Sequence, residues 1–273
     1  MGYLLSKIAL VLILISAGGF IVYIIKQQKG IFRWSYRILF AGFIFQTVFL
    51  IYQYYLLGTA PVIGLKAALF FFSWCIIGVY LIFQLKFGLM VLGSFIAPFA
   101  AVLMIVSSAI PGMESVVRPM LKSVWLMIHV GTIFIGDGVF AIAFMAAIMY
   151  LLQERQIKTK SFGLLYRRLP SLETLDSLNY VCLTFGFPLI TVGLISGFVY
   201  AGAVLRSFWH WDPKEILAVI TWLIYAVLLH ERLAVGWRGR RAAIMAIVGF
   251  SVILVTFVGA TLLLKGHHSF MRG

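Results

Sequence analysis

The sequence predicts an all-α protein, a polytopic bundle of about eight helices that cross a membrane, and two observations carry that prediction. Of the 273 residues, 63% are hydrophobic and only 11% are charged, with a mean hydropathy of +1.07. A water-soluble fold of this length has no interior large enough to hide so much apolar surface. The apolar residues also gather in runs of about 20, the length a helix needs to cross the hydrocarbon core of a bilayer.

Taken in order, the runs cover 4–25, 38–57, 65–85, 89–110, 126–152, 181–204, 216–232 and 242–264. The first is too long for the core of a signal peptide and lacks a small-residue cleavage site, so it reads as a span. No internal repeat, low-complexity tract or long linker divides the chain, and residues 1–273 read as a single integral-membrane domain. Cys75 and Cys182 each lie within an apolar run and form no CxxC, so they read as structural thiols and not as a dithiol centre or zinc site.

The net charge of +14 would suggest nucleic acid in a soluble domain. Here the basic residues sit in short clusters between apolar runs, as topology determinants do, and no nucleic-acid partner is expected. The clusters at 26–37, at Lys86, at 155–168 and at 232–241 fall on one side and hold 14 of the 22 Lys and Arg residues, against 8 on the other side. The positive-inside rule makes the first side cytoplasmic. Both termini and the stretch around residue 210 are then extracytoplasmic.

That stretch, Arg206-Ser-Phe-Trp-His-Trp-Asp-Pro-Lys-Glu215, is the one place where polar and aromatic groups crowd between two long apolar runs. Asp212 suits an N-cap, Pro213 the first helical position, and Glu215 the reciprocal place in a capping box. Three aromatic rings and an imidazole precede that helix start. By residue type alone this is an interfacial aromatic belt beside a cap.

The five histidines are His129, His210, His230, His267 and His268, and polar groups in or near a membrane are functional candidates. His129 lies about one turn into the fifth span from its outer end, and His267 and His268 lie just past the outer end of the eighth. His230 is 17 residues beyond Pro213, about 25 Å deeper at 1.5 Å per residue. Imidazoles that share one metal ion must each lie about 2 Å from it, so His230 cannot share a metal with the outer set. Either it ligates a second metal centre at another depth, or it is a helix-end histidine that meets the C-terminal dipole. His129 could equally be a hydrogen-bonded interfacial side chain, and His210 reads as a polar member of the aromatic stretch. Asp137, eight residues past His129, is either a polar partner or proton site or a satisfied buried carboxyl, with the second preferred. Trp222, Tyr225 and Leu229 form a stripe toward His230 that could wall a flat cofactor, although such a stripe more often packs helices.

The run Trp-His-Trp-Asp-Pro-Lys-Glu-Ile-Leu-Ala-Val-Ile-Thr-Trp-Leu-Ile-Tyr-Ala-Val-Leu-Leu-His from Trp209 to His230, followed by Gly236-Trp-Arg-Gly-Arg-Arg-Ala-Ala243, closely resembles the cytochrome c assembly proteins of the CcsA/ResC type. Thr174-Leu-Asp-Ser-Leu-Asn-Tyr180 and Gly266-His-His-Ser-Phe270 resemble that family too. The resemblance covers about the last 150 residues well, with a haem-handling core at 120–273. It implies a protein that carries haem b from the cytoplasmic side and presents it on a WWD stretch, here Trp209, Trp211 and Asp212. The acceptor would be an apocytochrome c whose CxxCH thiols add to the haem vinyl groups. By the same resemblance His129 and His268 match two external haem ligands. His230 matches an inner ligand whose counterpart comes from a CcsB/ResB-type membrane subunit. The chain then has no catalytic nucleophile of its own and serves as the haem-handling subunit of a haem lyase complex, in a cell membrane ahead of a thylakoid membrane. His267 stands where the family usually has an apolar residue and could compete with His268. Leu205 and Arg206 stand where the family usually has Trp-Gly, and Arg206 adds a cation suited to a haem propionate.

Three other readings compete. A HemX-like regulator of haem synthesis would share the span pattern without supporting cytochrome c maturation. A di-haem membrane electron carrier would hold its haem tightly and cycle it reversibly. A solute transporter has little beyond the span count in its favour, with no pair of broken helices.

Overall fold

In lipid every backbone amide needs an internal partner, so the apolar runs have to be helical. The computed structural model describes residues 2–57, 62, 64–111, 124–160 and 163–262, and among them are nine α-helices and no strand. Eight are long and apolar enough to cross a membrane. They are α1 (Gly2–Lys26), α2 (Lys29–Leu57), α3 (Leu65–Phe87), α4 (Gly93–Ala109), α5 (Val124–Lys158), α7 (Leu172–Leu205), α8 (Pro213–His230) and α9 (Arg240–Leu262). The five-residue α6 (Leu164–Arg168) joins α5 to α7. Successive spans alternate in direction, which gives the bundle a basic end and a tryptophan end.

The helices overrun the apolar runs. Residue 27 turns the chain at φ 55°, its N–H held by the Tyr23 carbonyl at 2.8 Å, and α2 restarts at Lys29, nine residues before its apolar run. Arg33 and Arg37, expected in a loop, are therefore helical. Ser171 caps α7 by accepting the Thr174 N–H at 3.2 Å, so that helix has 34 residues and its first nine precede the apolar run at 181. A helix continues past the hydrocarbon until a cap stops it, and hydropathy is blind to that point.

Helices in lipid gain little from apolar burial against one another, so close packing and interhelical hydrogen bonds hold them. Serines supply many of these bonds among α1–α4: Ser16 to the Ser35 carbonyl, Ser94 to the Phe20 carbonyl and Ser107 to the Lys66 carbonyl, each at 2.8 Å. The Trp74 indole donates to Thr47 at 2.8 Å. The second half is built around α5, whose small buried residues Ala141, Ala143, Ala146 and Ala147 let α3, α7 and α9 approach it. On α7, Gly186 and Gly193 face Phe140 and Ile133 of α5 so closely that a Cβ would lie 2.7 and 2.6 Å from those rings and chains.

Candidate functional site

The helix start read from residues 212–215 is present. The first helical bond of α8 runs from the Ile216 N–H to the Asp212 carbonyl at 3.1 Å, and Asp212 is 4% exposed. Glu215 reaches back as in a capping box, accepting the Asp212 N–H at 3.4 Å, and it also accepts the His210 N–H at 2.9 Å. Trp211, between those two amides, has a left-handed φ of 57° and is 75% exposed. Its ring meets that of Trp209 edge-on at 5.6 Å and 89°. Trp209 in turn lies against Phe198 of α7 at 5.9 Å, and its indole N–H is buried with no hydrogen-bond partner among the described residues. Phe208 covers Gly202, where no Cβ would fit. Arg206 ends α7 in a left-handed conformation, φ 59°, the backbone that glycine adopts without strain.

His129 sits in the second turn of α5 and points at α7. Its Nδ1 lies 2.7 Å from the Gly193 carbonyl oxygen. A carbonyl only accepts, so Nδ1 carries the hydrogen in this contact. The imidazole fits because Gly197 has no side chain: a Cβ there would lie 2.6 Å from Nδ1 and 2.7 Å from Cε1. The next residue, Phe198, is the one that touches Trp209. Adjacent residues of α7 thus join His129 to the tryptophan surface.

His230 is the last residue of α8 and is exposed on the outside of the bundle. Just beyond it a π-helical turn, Glu231–Val235, leads to Gly236 at φ 77°. Asp176 of α7 holds this corner. It accepts Arg232 Nη1 at 3.0 Å and Nη2 at 2.7 Å on its two carboxylate oxygens, and the Gly239 N–H at 2.7 Å. The guanidinium also donates to the Asp176 carbonyl at 3.1 Å and lies 4.9 Å over the Tyr180 ring. Burial alone would raise the Asp176 carboxyl, but the Arg232 and Gly239 bonds outweigh it and hold the group below the usual carboxylate range. Asp176 and Gly193 are 17 residues apart on α7, about 25 Å along the helix. His129 and His230 are therefore separated by roughly that distance, which agrees with the depth argument from sequence.

The other candidates divide. Asp137 is buried, within electrostatic range of Cys75 of α3 and Tyr225 of α8. The partner of His129 Nδ1 is Gly193, not Asp137. The Trp222 and Tyr225 stripe packs helices: Tyr225, 1% exposed, stacks flat on Phe140 at 3.5 Å, and Trp222 donates to Thr191 at 2.9 Å. His267 and His268 lie outside the described residues. Gly193, Gly197, Phe198 and the double role of Glu215 are absent from the sequence reading, and Asp176 enters it only within the stretch 174–180. The glycines at 186, 193 and 197 repeat at seven and four, a small-residue stripe that signals such a helix contact. A cavity of about 300 Å³ lined by Phe87, Leu89, Glu173, Thr174, Ser177, Leu178 and Val181 opens at the basic end. The tryptophan surface is an open platform at the opposite end.

Fold and site define a class, a multi-pass helical membrane protein with an aromatic platform beside a histidine bonded across two helices. A family model described as Cytochrome C assembly protein matches residues 62–268. The chain is 32% identical over 268 residues to the cytochrome c biogenesis protein CcsA of Guillardia theta, covering 90% of this chain and 88% of that one. It is 36% identical over 220 residues to CcsA of Chlamydomonas reinhardtii, covering 78% of this chain and 61% of that one. A solved structure, the cytochrome c heme lyase CcmF, superposes with a TM-score of 0.66 over 94% of this chain at 15% identity, a likeness of fold. This chain spans 46% of the length of that structure. The chain belongs to the cytochrome c assembly protein family.

Proposed function

We propose that this chain takes up haem at its basic end and presents it at the tryptophan platform to an apocytochrome c. Family membership gives it a part in cytochrome c maturation, and the proposal concerns how it plays that part. The observation that carries the proposal is the placement of His129: its Nδ1 is bonded to the Gly193 carbonyl and its ring packs on Gly197, one residue of α7 away from the Phe198–Trp209 contact. The surroundings suit haem as a substrate. Trp211 offers an exposed flat ring, and the buried Trp209 N–H is a donor that a propionate could satisfy.

In this scheme His129 and His268 ligate the iron of the presented haem, and Trp209, Trp211 and Asp212 form and hold the surface against which it lies. Arg206 pairs with a propionate. His230, about 25 Å away on the outside of the bundle, ligates haem at the earlier position, with its second ligand from a CcsB/ResB-type membrane subunit. The platform faces the extracytoplasmic side of the cell membrane, where apocytochrome c arrives. Each cysteine thiol of CxxCH adds its S–H across a vinyl group, so the nucleophiles belong to the apocytochrome. The protein contributes position and iron ligation, and the substrate's histidine replaces one of its imidazoles. Maturation of a haem-stained c-type cytochrome in cells that depend on this chain tests the scheme. Replacing Trp209 or His129 with alanine, at unchanged protein level, should abolish most of the stain. Full staining with both variants would refute it.

A further inference from the structure

An ordinary capping box ties the glutamate at the third helical position to the N–H of the N-cap alone. Glu215 does more. Its Oε2 accepts the N–H of Asp212 at 3.4 Å and that of His210 at 2.9 Å, the two amides that flank Trp211, and its Oε1 lies 3.5 Å from His210 Nδ1. Between those two anchors Trp211 takes φ 57°, a conformation that a bulky L-residue leaves when nothing holds it. The consequence of the turn is the 75% exposed Trp211 ring, set at right angles to Trp209. Glu215 itself is only 11% exposed, so it braces the turn from within and is not a contact surface.

We propose that Glu215 is the positioning residue of the tryptophan platform, pinning both amides around Trp211 and so aiming its ring at the planar ligand. This rests on the reading that the platform presents haem. The test is hemin titration of the purified full chain in a His230→Ala background, with Glu215→Ala, Glu215→Gln, Trp211→Gly and Trp211→Ala. Glu215→Ala should weaken hemin binding roughly tenfold, the scale of a lost positioning hydrogen bond. Glu215→Gln should restore it, because the amide oxygen accepts the same two N–H groups. In the Trp211→Gly protein, whose backbone turns freely, Glu215→Ala should cause no further loss. Wild-type binding in Glu215→Ala, equal losses in the alanine and glutamine variants, or multiplying losses in the double variant would each overturn the proposal. If Glu215→Ala does not accumulate, Glu215→Asp takes its place, since its shorter arm still favours the helix start but does not reach the His210 amide. Wild-type binding in Trp211→Ala would instead remove the platform reading itself, and the proposal with it.

Discussion

Removing the Asp176 carboxylate should unfasten the corner that follows His230, and the structure sets the size of the effect. Asp176→Ala deletes two charged bonds to Arg232, at 3.0 and 2.7 Å, and one to the Gly239 N–H at 2.7 Å. It leaves a guanidinium that is 7% exposed with no carboxylate partner among the described residues, held by the carbonyls of residues 176 and 237 and the Tyr180 ring. Breaking a buried ion pair costs about 3–5 kcal/mol. The carbonyls and the position at a helix end bring this one to the lower limit, about 3 kcal/mol, or roughly 6–12 °C in melting temperature for a chain of this size. The dependence on pH has a definite sign. A carboxyl whose folded pKa is depressed stabilises fully above its unfolded pKa, about 4, and loses that contribution as pH falls through the lower folded value. Thermal melts of the detergent-solubilised protein should therefore show a constant gap between wild type and variant from about pH 5 to 8, shrinking below about pH 4. A gap under about 2 °C at neutral pH, or one that does not shrink in acid, would refute the reasoning.

Gly197→Ala should push the His129 imidazole off its bond to Gly193 and weaken outer-site haem by roughly tenfold or more, read from the haem absorbance of purified protein in a His230→Ala background; unchanged absorbance would contradict it. Tyr225→Phe removes a buried hydroxyl that has no partner among the described residues, so melting should rise by the equivalent of about 1 kcal/mol with haem content unchanged. Haem loss there would revive the cofactor-wall reading of that helix. Arg206→Gly relieves a left-handed backbone by about 1 kcal/mol while removing the cation, so melting temperature should rise and haem retention fall in the same preparation.

The spans were legible because eight apolar runs leave the backbone no alternative to helix, and the start of α8 was legible because Asp212, Pro213 and Glu215 act over three residues. What escaped the sequence depends on two helices meeting. Asp176 reads as one acid in a polar run until α7 places it beside Arg232, 56 residues later. His129 could be ranked as a candidate by its depth, but the Gly193 carbonyl that accepts from its Nδ1 belongs to another span. The left-handed turn at Trp211 has no signature in residue type, since tryptophan disfavours it and the Glu215 bonds to the amides on either side come from across the turn. The stripe through Trp222 and Tyr225 was open to two readings, and the flat stack on Phe140 decides for packing.

In the proposed scheme two haem positions, about 25 Å apart, depend on different histidines. The direct measurement is the absorption spectrum of the purified protein, alone and with a CcsB/ResB-type subunit, for wild type, His129→Ala, His268→Ala and His230→Ala. Bis-histidine haem bands are expected, of which one portion is lost with His129 or His268 and a separate portion, increased by the partner subunit, is lost with His230. Haem bands that survive all three substitutions, or no haem with or without the partner, would contradict it.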